Sequence, residues 1–454
     1  MRLNLYSIIF NPFFLIFITV FLGVWAGNWK KLGKMKPGVG GPLFIGLIIG
    51  WVVYSLADGI SEGDKAYNAA EAIISKNMVP FEIQSFMLML FVAAIGLLAS
   101  KDLGIVIKKY GFRFIVLGIV ITLSGALMSF GIVLLNSKSN IYEASGVYTG
   151  ALTSSPGLGA AIEKSIQHAE MTMNNYDNLP EVRKIKILQI FNSDNDINVK
   201  ITDNQKNSFV NSAAAGVGTG YAVAYPFGML MVILAITIIP KIFRINIAKE
   251  KEQYFAELDQ MRKGVAKNEL KPVPFDLKSY ILICFVGYLT GMVEIYLGSA
   301  IGYFNLGSIG GVLIVSIVFG YIGKIGPFVF RMDSKILGII RDISLSCYVG
   351  MIGLSYGYQV IRALFGAGLY IVLYSIAIST SCILIGFILG RYVLRINWVV
   401  LSGAICGGMT STPGLGIAVD FIGSDEPAAG YAASYPSAIA GMVIFTVIMY
   451  NIPV

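Results

Sequence analysis

Long apolar runs alternate with short polar ones along most of the chain. They fall near residues 6–25, 41–57, 83–99, 112–136 and 212–240, and again near 278–297, 307–323, 337–356, 366–390 and 428–450. Crossing a bilayer takes ~20 mostly apolar residues in a helix, so each run predicts one spanning helix. Two more stretches, 144–163 and 397–420, are apolar but rich in Gly, Ser, Thr and Pro. They predict re-entrant or broken helices. Two polar segments interrupt the series. Residues 164–211 carry six basic and six acidic residues, and 241–277 hold KIFRINIAKEKEQYFAELDQMRKG, a helical mix of both charges, followed by KPVPF. Neither is long enough for an ordinary independent domain. The first run has only Arg2 before it, with Lys30, Lys31, Lys34 and Lys36 after it. That is the reverse of a cleaved signal peptide and predicts a retained helix with its N-terminus outside. The expected fold is an all-α polytopic membrane protein.

The run pattern is doubled. GALTSSPGLGAAIE (150–163) matches GGMTSTPGLGIAVD (407–420) at eight of fourteen positions, with an offset of 257. The same offset aligns AIGL (94–97) with MIGL (351–354). GYAVAYP (220–226) then pairs with GYAASYP (430–436), five identities in seven, at an offset of 210. The 47-residue difference is the room taken by 164–211. Upstream, GGPLFIGLIIG (40–50) resembles GGVLIVSIVFG (310–320). Two repeats are therefore expected: 1–240 with a polar insertion at 164–211, and 278–454, joined by a cytoplasmic linker at 241–277. Such repeats are common in secondary transporters.

Composition fits this reading. Of 454 residues, 56% are apolar and 13% charged, at a mean hydropathy of +0.73. That is about half the charge of a soluble domain, and it argues against a soluble enzyme, a disordered chain and a nucleic-acid partner. The net charge of +8 is better read as topology, since cytoplasmic loops of membrane proteins collect Lys and Arg. If each repeat has five crossings plus one re-entrant segment, the loops near 30–36, 100–113, 241–278, 324–341 and 391–395 share one side and hold 23 of the 34 Lys and Arg. Five is odd, so the second repeat is inverted, both termini lie outside and 164–211 lies outside. Cys284, Cys347, Cys382 and Cys406 lie in apolar runs without a CxxC pair, and His168 is the only histidine. No disulfide framework, metal site, cofactor or His-based triad is indicated. The YD and GxGD contexts of an intramembrane aspartyl protease do not occur in the apolar runs.

The duplicated motif carries the chemistry. In TSSPGLG (153–159) and TSTPGLG (410–416), Pro156 and Pro413 lack an N–H, and Gly157 and Gly414 tolerate unusual backbone angles. Irregular backbone at membrane depth survives only where it faces protein or a water-filled cavity. The helix N-termini it leaves attract anions. Thr153, Ser154, Ser155, Thr410, Ser411 and Thr412 add hydroxyls. Inverted repeats would bring the two motifs together near the midplane as one substrate-binding site for a small carboxylate-bearing molecule, with no Lys or Arg clamp inside either motif. GYAVAYP and GYAASYP open the following helix, where Tyr225-Pro226 and Tyr435-Pro436 are expected to break it, either lining the cavity or simply kinking the helix. Glu163 and Asp420 end the motif segments, where a solvated cap is the simpler reading. Glu294 sits inside an apolar run without a counterpart in the first half.

At these residues the chain resembles the aspartate:alanine exchanger family of bacterial secondary transporters. The resemblance rests on the paired TSSPGLG/TSTPGLG and GYAVAYP/GYAASYP motifs in the same order in each half, and it covers essentially all the apolar runs. It implies two inverted repeats, a homodimer surrounded by membrane lipid, and antiport of amino acids or dicarboxylates across the inner membrane. The chain departs from many members in having only 241–277 where paired cytosolic domains stand, and in its 164–211 segment. The nearest competing reading is a sodium- or proton-coupled carboxylate symporter with paired re-entrant hairpins. A channel fits the broken motifs less well.

Overall fold

The computed structural model describes residues 8–27, 41–62, 64, 66–76, 78–100, 103–135, 140–176, 179, 181, 184–185, 187, 202–262, 273–296, 303–304, 306–366 and 368–451. The basic stretch 30–36 and residues 188–201 of the polar insertion lie outside them.

In the first half the helices are α1 (Pro12–Gly27), α2 (Gly41–Asp58), α3 (Tyr67–Lys76), α4 (Phe81–Ala99), α5 (Leu103–Leu135), α6 (Ile141–Ala151), α7 (Ser155–Asn174) and α8 (Asp203–Ile242). The link is α9 (Ile247–Arg262). The second half holds α10 (Leu277–Gly291), α11 (Gly307–Ile322), α12 (Ser334–Phe365), α13 (Leu369–Ile388), α14 (Trp398–Gly408), α15 (Thr412–Ile422) and α16 (Pro427–Asn451). Seven of these, α2, α4, α5, α8, α12, α13 and α16, are long and apolar enough to cross a membrane, and α1, α10 and α11 are shorter apolar helices. All ten expected runs are thus helical.

Several starts are written in the sequence. Asn140, Asp276, Asp333 and Asn397 each accept a backbone N–H of the first turn, and Thr202 with Gln205 forms a capping box. Such caps contribute about 1 kcal/mol each. Two expectations fail. Helix α8 runs unbroken through Pro226, and α16 through Pro436, because neighbouring helices hold both and the lost N–H removes a single helical bond. GYAVAYP also lies well inside α8 rather than at its start. The run 278–297 ends early as a helix, at Gly291, where α10 and α11 cross so closely that a Cβ on Gly291 would strike the Gly307 backbone. Ile295–Tyr296 then pairs antiparallel with Tyr303–Phe304, which moves Glu294 out of the run.

Helices group by packing, not by half. α1, α2 and α4 pack with α10, α11 and α12; α5, α6, α7 and α8 pack with α13, α14, α15 and α16. Pairings across the halves come in exchanged copies. Helix α2 runs parallel to α12, Gly46 lying on Gly350 and Gly353 and Gly50 on Leu354, while α4 runs parallel to α11, with Gly96 on Ser316 and Gly320 on Ser100. Likewise α5 lies parallel to α16, through Gly118 on Ser434 and Gly441 on Thr122. Helix α8 lies parallel to α13, where Ser375 Oγ donates to the Ala224 carbonyl at 2.8 Å and Phe243 meets Phe387. The equivalent helices α5 and α13 are antiparallel, with Ile121 at Gly386 and Gly125 at Cys382.

Candidate functional site

Each duplicated motif is the tip of a helical hairpin. Helix α6 enters and α7 returns beside it, so that the Tyr142 hydroxyl at the start of α6 lies 3.0 Å from His168 Nδ1 two-thirds of the way along α7. In the second half α14 runs parallel to α16, with Ser434 Oγ donating to the Ala404 carbonyl at 2.9 Å. Helix α15 comes back from the tip, where Thr412 Oγ1 and the Tyr431 hydroxyl are 3.0 Å apart, to the loop that opens α16.

The two tips are built alike and touch. Thr153 and Thr410 have φ of 55° and 50°, a left-handed conformation unusual for a β-branched residue. Their side chains hold the two hairpins together. Thr153 Oγ1 donates to the Met409 carbonyl at 3.0 Å, and Thr410 Oγ1 donates to the Leu152 carbonyl at 2.9 Å. The next residues are caps: Ser154 Oγ accepts from Gly157 N–H at 3.1 Å, and Ser411 Oγ from Gly414 N–H at 3.3 Å. The third hydroxyl of each tip reaches the neighbouring tyrosine, Ser155 to Tyr221 at 3.2 Å and Thr412 to Tyr431 at 3.0 Å.

A cavity of about 740 Å³ lies against the tips, between the two helix groups. From the expected site it takes Thr153, Ser155, Pro156, Thr410, Thr412, Pro413, Tyr225 and Tyr435. It does not take Ser154, Ser411, Gly157 or Gly414. The two serines are fully buried under their own helices as caps, and the two glycines supply the N–H groups they hold. This narrows the anion-binding idea. Pro156 and Pro413 have no N–H, and those of Gly157 and Gly414 are occupied, so among the described residues each tip offers Ser155 or Thr412 as its donor. Opposite the tips, α4 gives Gln84 and Ser85, α11 gives Ser308, and α12 gives Tyr348 and Tyr356. With Tyr221 and Tyr225 these tyrosines form a wall in which the Tyr225 ring lies tilted against that of Tyr356, ring centres 5.3 Å apart.

Sequence reading missed the α4 and α12 residues, which belong to no duplicated motif. Tyr221 was available from the repeat, because it matches Tyr431. Glu163 and Glu294 both line the cavity and are exposed to it. Glu163 sits in mid-helix, since α7 continues to Asn174. No Lys or Arg lines the cavity among the described residues.

Residues 15–241 and 279–451 match the family model Asp-Al_Ex, the predicted permease membrane region. An uncharacterized transporter of Bacteroides thetaiotaomicron is 33% identical over 187 residues, 40% of this chain and 35% of that protein. One from Desulfotalea psychrophila is 30% identical over 162 residues, 36% of this chain and 30% of the relative. The aligned stretches thus span about a third of the curated relatives.

Proposed function

The chain belongs to the predicted permease membrane region family (Asp-Al_Ex), and from that premise we propose that it is a secondary transporter, an antiporter of small amino acids or dicarboxylates in a bacterial inner membrane. It is a multi-pass membrane protein. The observation that carries the proposal is the meeting of two hairpin tips, crossed by reciprocal threonine hydrogen bonds, at one cavity between two helix groups. Inverted repeats account for that arrangement: a two-fold axis in the membrane plane makes equivalent helices antiparallel and repeats each cross-half pairing with the halves exchanged.

The lining bears on the substrate. A dicarboxylate or phosphorylated ligand is usually held by Arg or Lys. Here the carboxyl groups lining the cavity, among the described residues, are Glu163 and Glu294. A zwitterion suits them better, its carboxylate on the Ser155 and Thr412 side and its ammonium toward a glutamate. The substrate arm favoured is therefore a small amino acid.

Liposomes preloaded with alanine or aspartate should take up the labelled amino acid much faster than empty ones, and faster than liposomes preloaded with succinate take up succinate. Equal uptake into empty liposomes under an imposed sodium or proton gradient would instead make the protein a coupled symporter. In that reading the two glutamates serve the cation.

A further inference from the structure

The two hairpins are alike at their tips and unlike along their return helices. Ser155, Gly159 and Glu163 on α7 are exposed to the cavity, whereas Thr412 to Val419 on α15 are buried throughout. The cavity is therefore open along α7 and shut along α15.

The closure has a residue-level cause, and its open counterpart is also present. On the shut side Leu345 of α12 sits on Gly416, so closely that a Cβ there would collide with the leucine side chain. One turn earlier on α12, Arg341 pairs with Asp425 in the loop joining α15 to α16. Both contacts join the two helix groups, since α12 belongs to one and α15 with its loop to the other. The repeat offset of 257 carries Leu345 onto Leu88 and Gly416 onto Gly159. On the open side this second pair is apart. Leu88 lines the cavity, and a Cβ on Gly159 would meet nothing among the described residues within 4 Å.

We propose that Leu345 on Gly416, secured by Arg341 on Asp425, is the closed member of a pair of gates, and that Leu88 and Gly159 are the open member. Transport exchanges the two: when Leu88 closes on Gly159, Leu345 leaves Gly416. The glycines are required because the leucine must reach the helix backbone. The arginine makes the two gates unequal, since the residue equivalent to Arg341 is Gln84, which instead donates to the Val79 carbonyl and to Ser355 within its own helix group. This inequality holds the resting protein open along α7. The proposal rests on the cavity being a transport site, but its test reads conformation without substrate.

In a cysteine-free background, single cysteines replace Ala160 on α7 and its counterpart Ile417 on α15 in separate proteins. A charged, membrane-impermeant thiol reagent is applied to either face of proteoliposomes. Cysteine at 160 should label from one face and cysteine at 417 hardly at all. Leu345→Ala or Asp425→Asn should raise labelling at 417 about tenfold, from the opposite face, while slowing it at 160, because populations shift between two states. The exchange Arg341→Asp with Asp425→Arg should restore the original pattern. Gly159→Leu should fit the open space, prevent closure on that side, and keep 417 unreactive even with Leu345→Ala. Labelling at 160 and 417 that rises together, or at 417 that ignores these substitutions, would overturn the paired gates. If the gates hold while no preloaded amino acid is exchanged, the substrate reading fails alone.

Discussion

Neighbouring hydroxyls in one tip have opposite work. Ser154 ties the start of α7 by accepting from Gly157 N–H, whereas Ser155 faces the cavity and Tyr221. Removing a side-chain cap costs ~1 kcal/mol, so Ser154→Ala and Ser411→Ala should each lower the unfolding temperature in detergent. Ser155→Ala should leave it nearly unchanged and weaken retention of the transported amino acid, measured as the ligand-induced rise in that temperature. The reverse ranking would remove Ser155 from the site. The sequence marked all six hydroxyls through the duplicated motif but could not divide them. The division depends on which residue takes the cap conformation, and Ser154 and Ser155 are the same residue type one step apart. Thr153 is different again. Thr153→Ala should destabilise through the lost bond to the Met409 carbonyl, by ~1 kcal/mol, and Thr153→Ser, which keeps the hydroxyl, should restore most of that loss.

The element whose role lay furthest from the sequence is α9. Its mix of charges predicts a helix in the linker 241–277, and the helix there covers Ile247–Arg262. Its docking was not legible, because the partners lie far along the chain. Glu250 is 7% exposed and accepts two hydrogen bonds from Arg391, at 2.9 and 2.6 Å, and one from Trp398 N–H at 3.0 Å. Asn397 donates to the Glu250 carbonyl, Lys251 donates to the Gly423 carbonyl, and Tyr254 to Glu426. Helix α9 thus clasps the base of the second hairpin. Two charge-assisted bonds to a mostly buried carboxylate are worth more than an exposed ion pair. Glu250→Ala should therefore cost ~1–3 kcal/mol and speed hydrogen exchange in α9 and the first turn of α14. Unchanged exchange there would mean that the helix is held by its apolar contacts alone.

At the scale of the molecule, the basic loops gather. Arg113 donates to the Leu394 carbonyl, Lys109 pairs with Glu257 and Arg391 with Glu250, and the backbone of Val273 bonds to Arg331 and Asp333. The stretches 100–113, 241–278, 324–341 and 391–395 therefore meet one another through these contacts, although they are scattered along the chain. The order of apolar runs made that grouping legible, since alternate loops of a helical membrane protein share a face. Their packing into two helix groups was not legible, because it depends on glycine faces such as Gly46 and Gly50 finding Gly350 and Gly353. An excess of Lys and Arg marks the cytoplasmic face, so α9 should lie inside the cell and the far end of α7 outside. Single cysteines test this in a cysteine-free protein: Ala256→Cys on α9 and Glu170→Cys on α7, both exposed positions. In intact cells an impermeant maleimide should label the cysteine at 170 at once and that at 256 only after lysis. Prompt labelling of 256 alone would turn the whole assignment over. Prompt labelling of both would put α7 and α9 on one face, and the pair of oppositely entering hairpins would then be wrong.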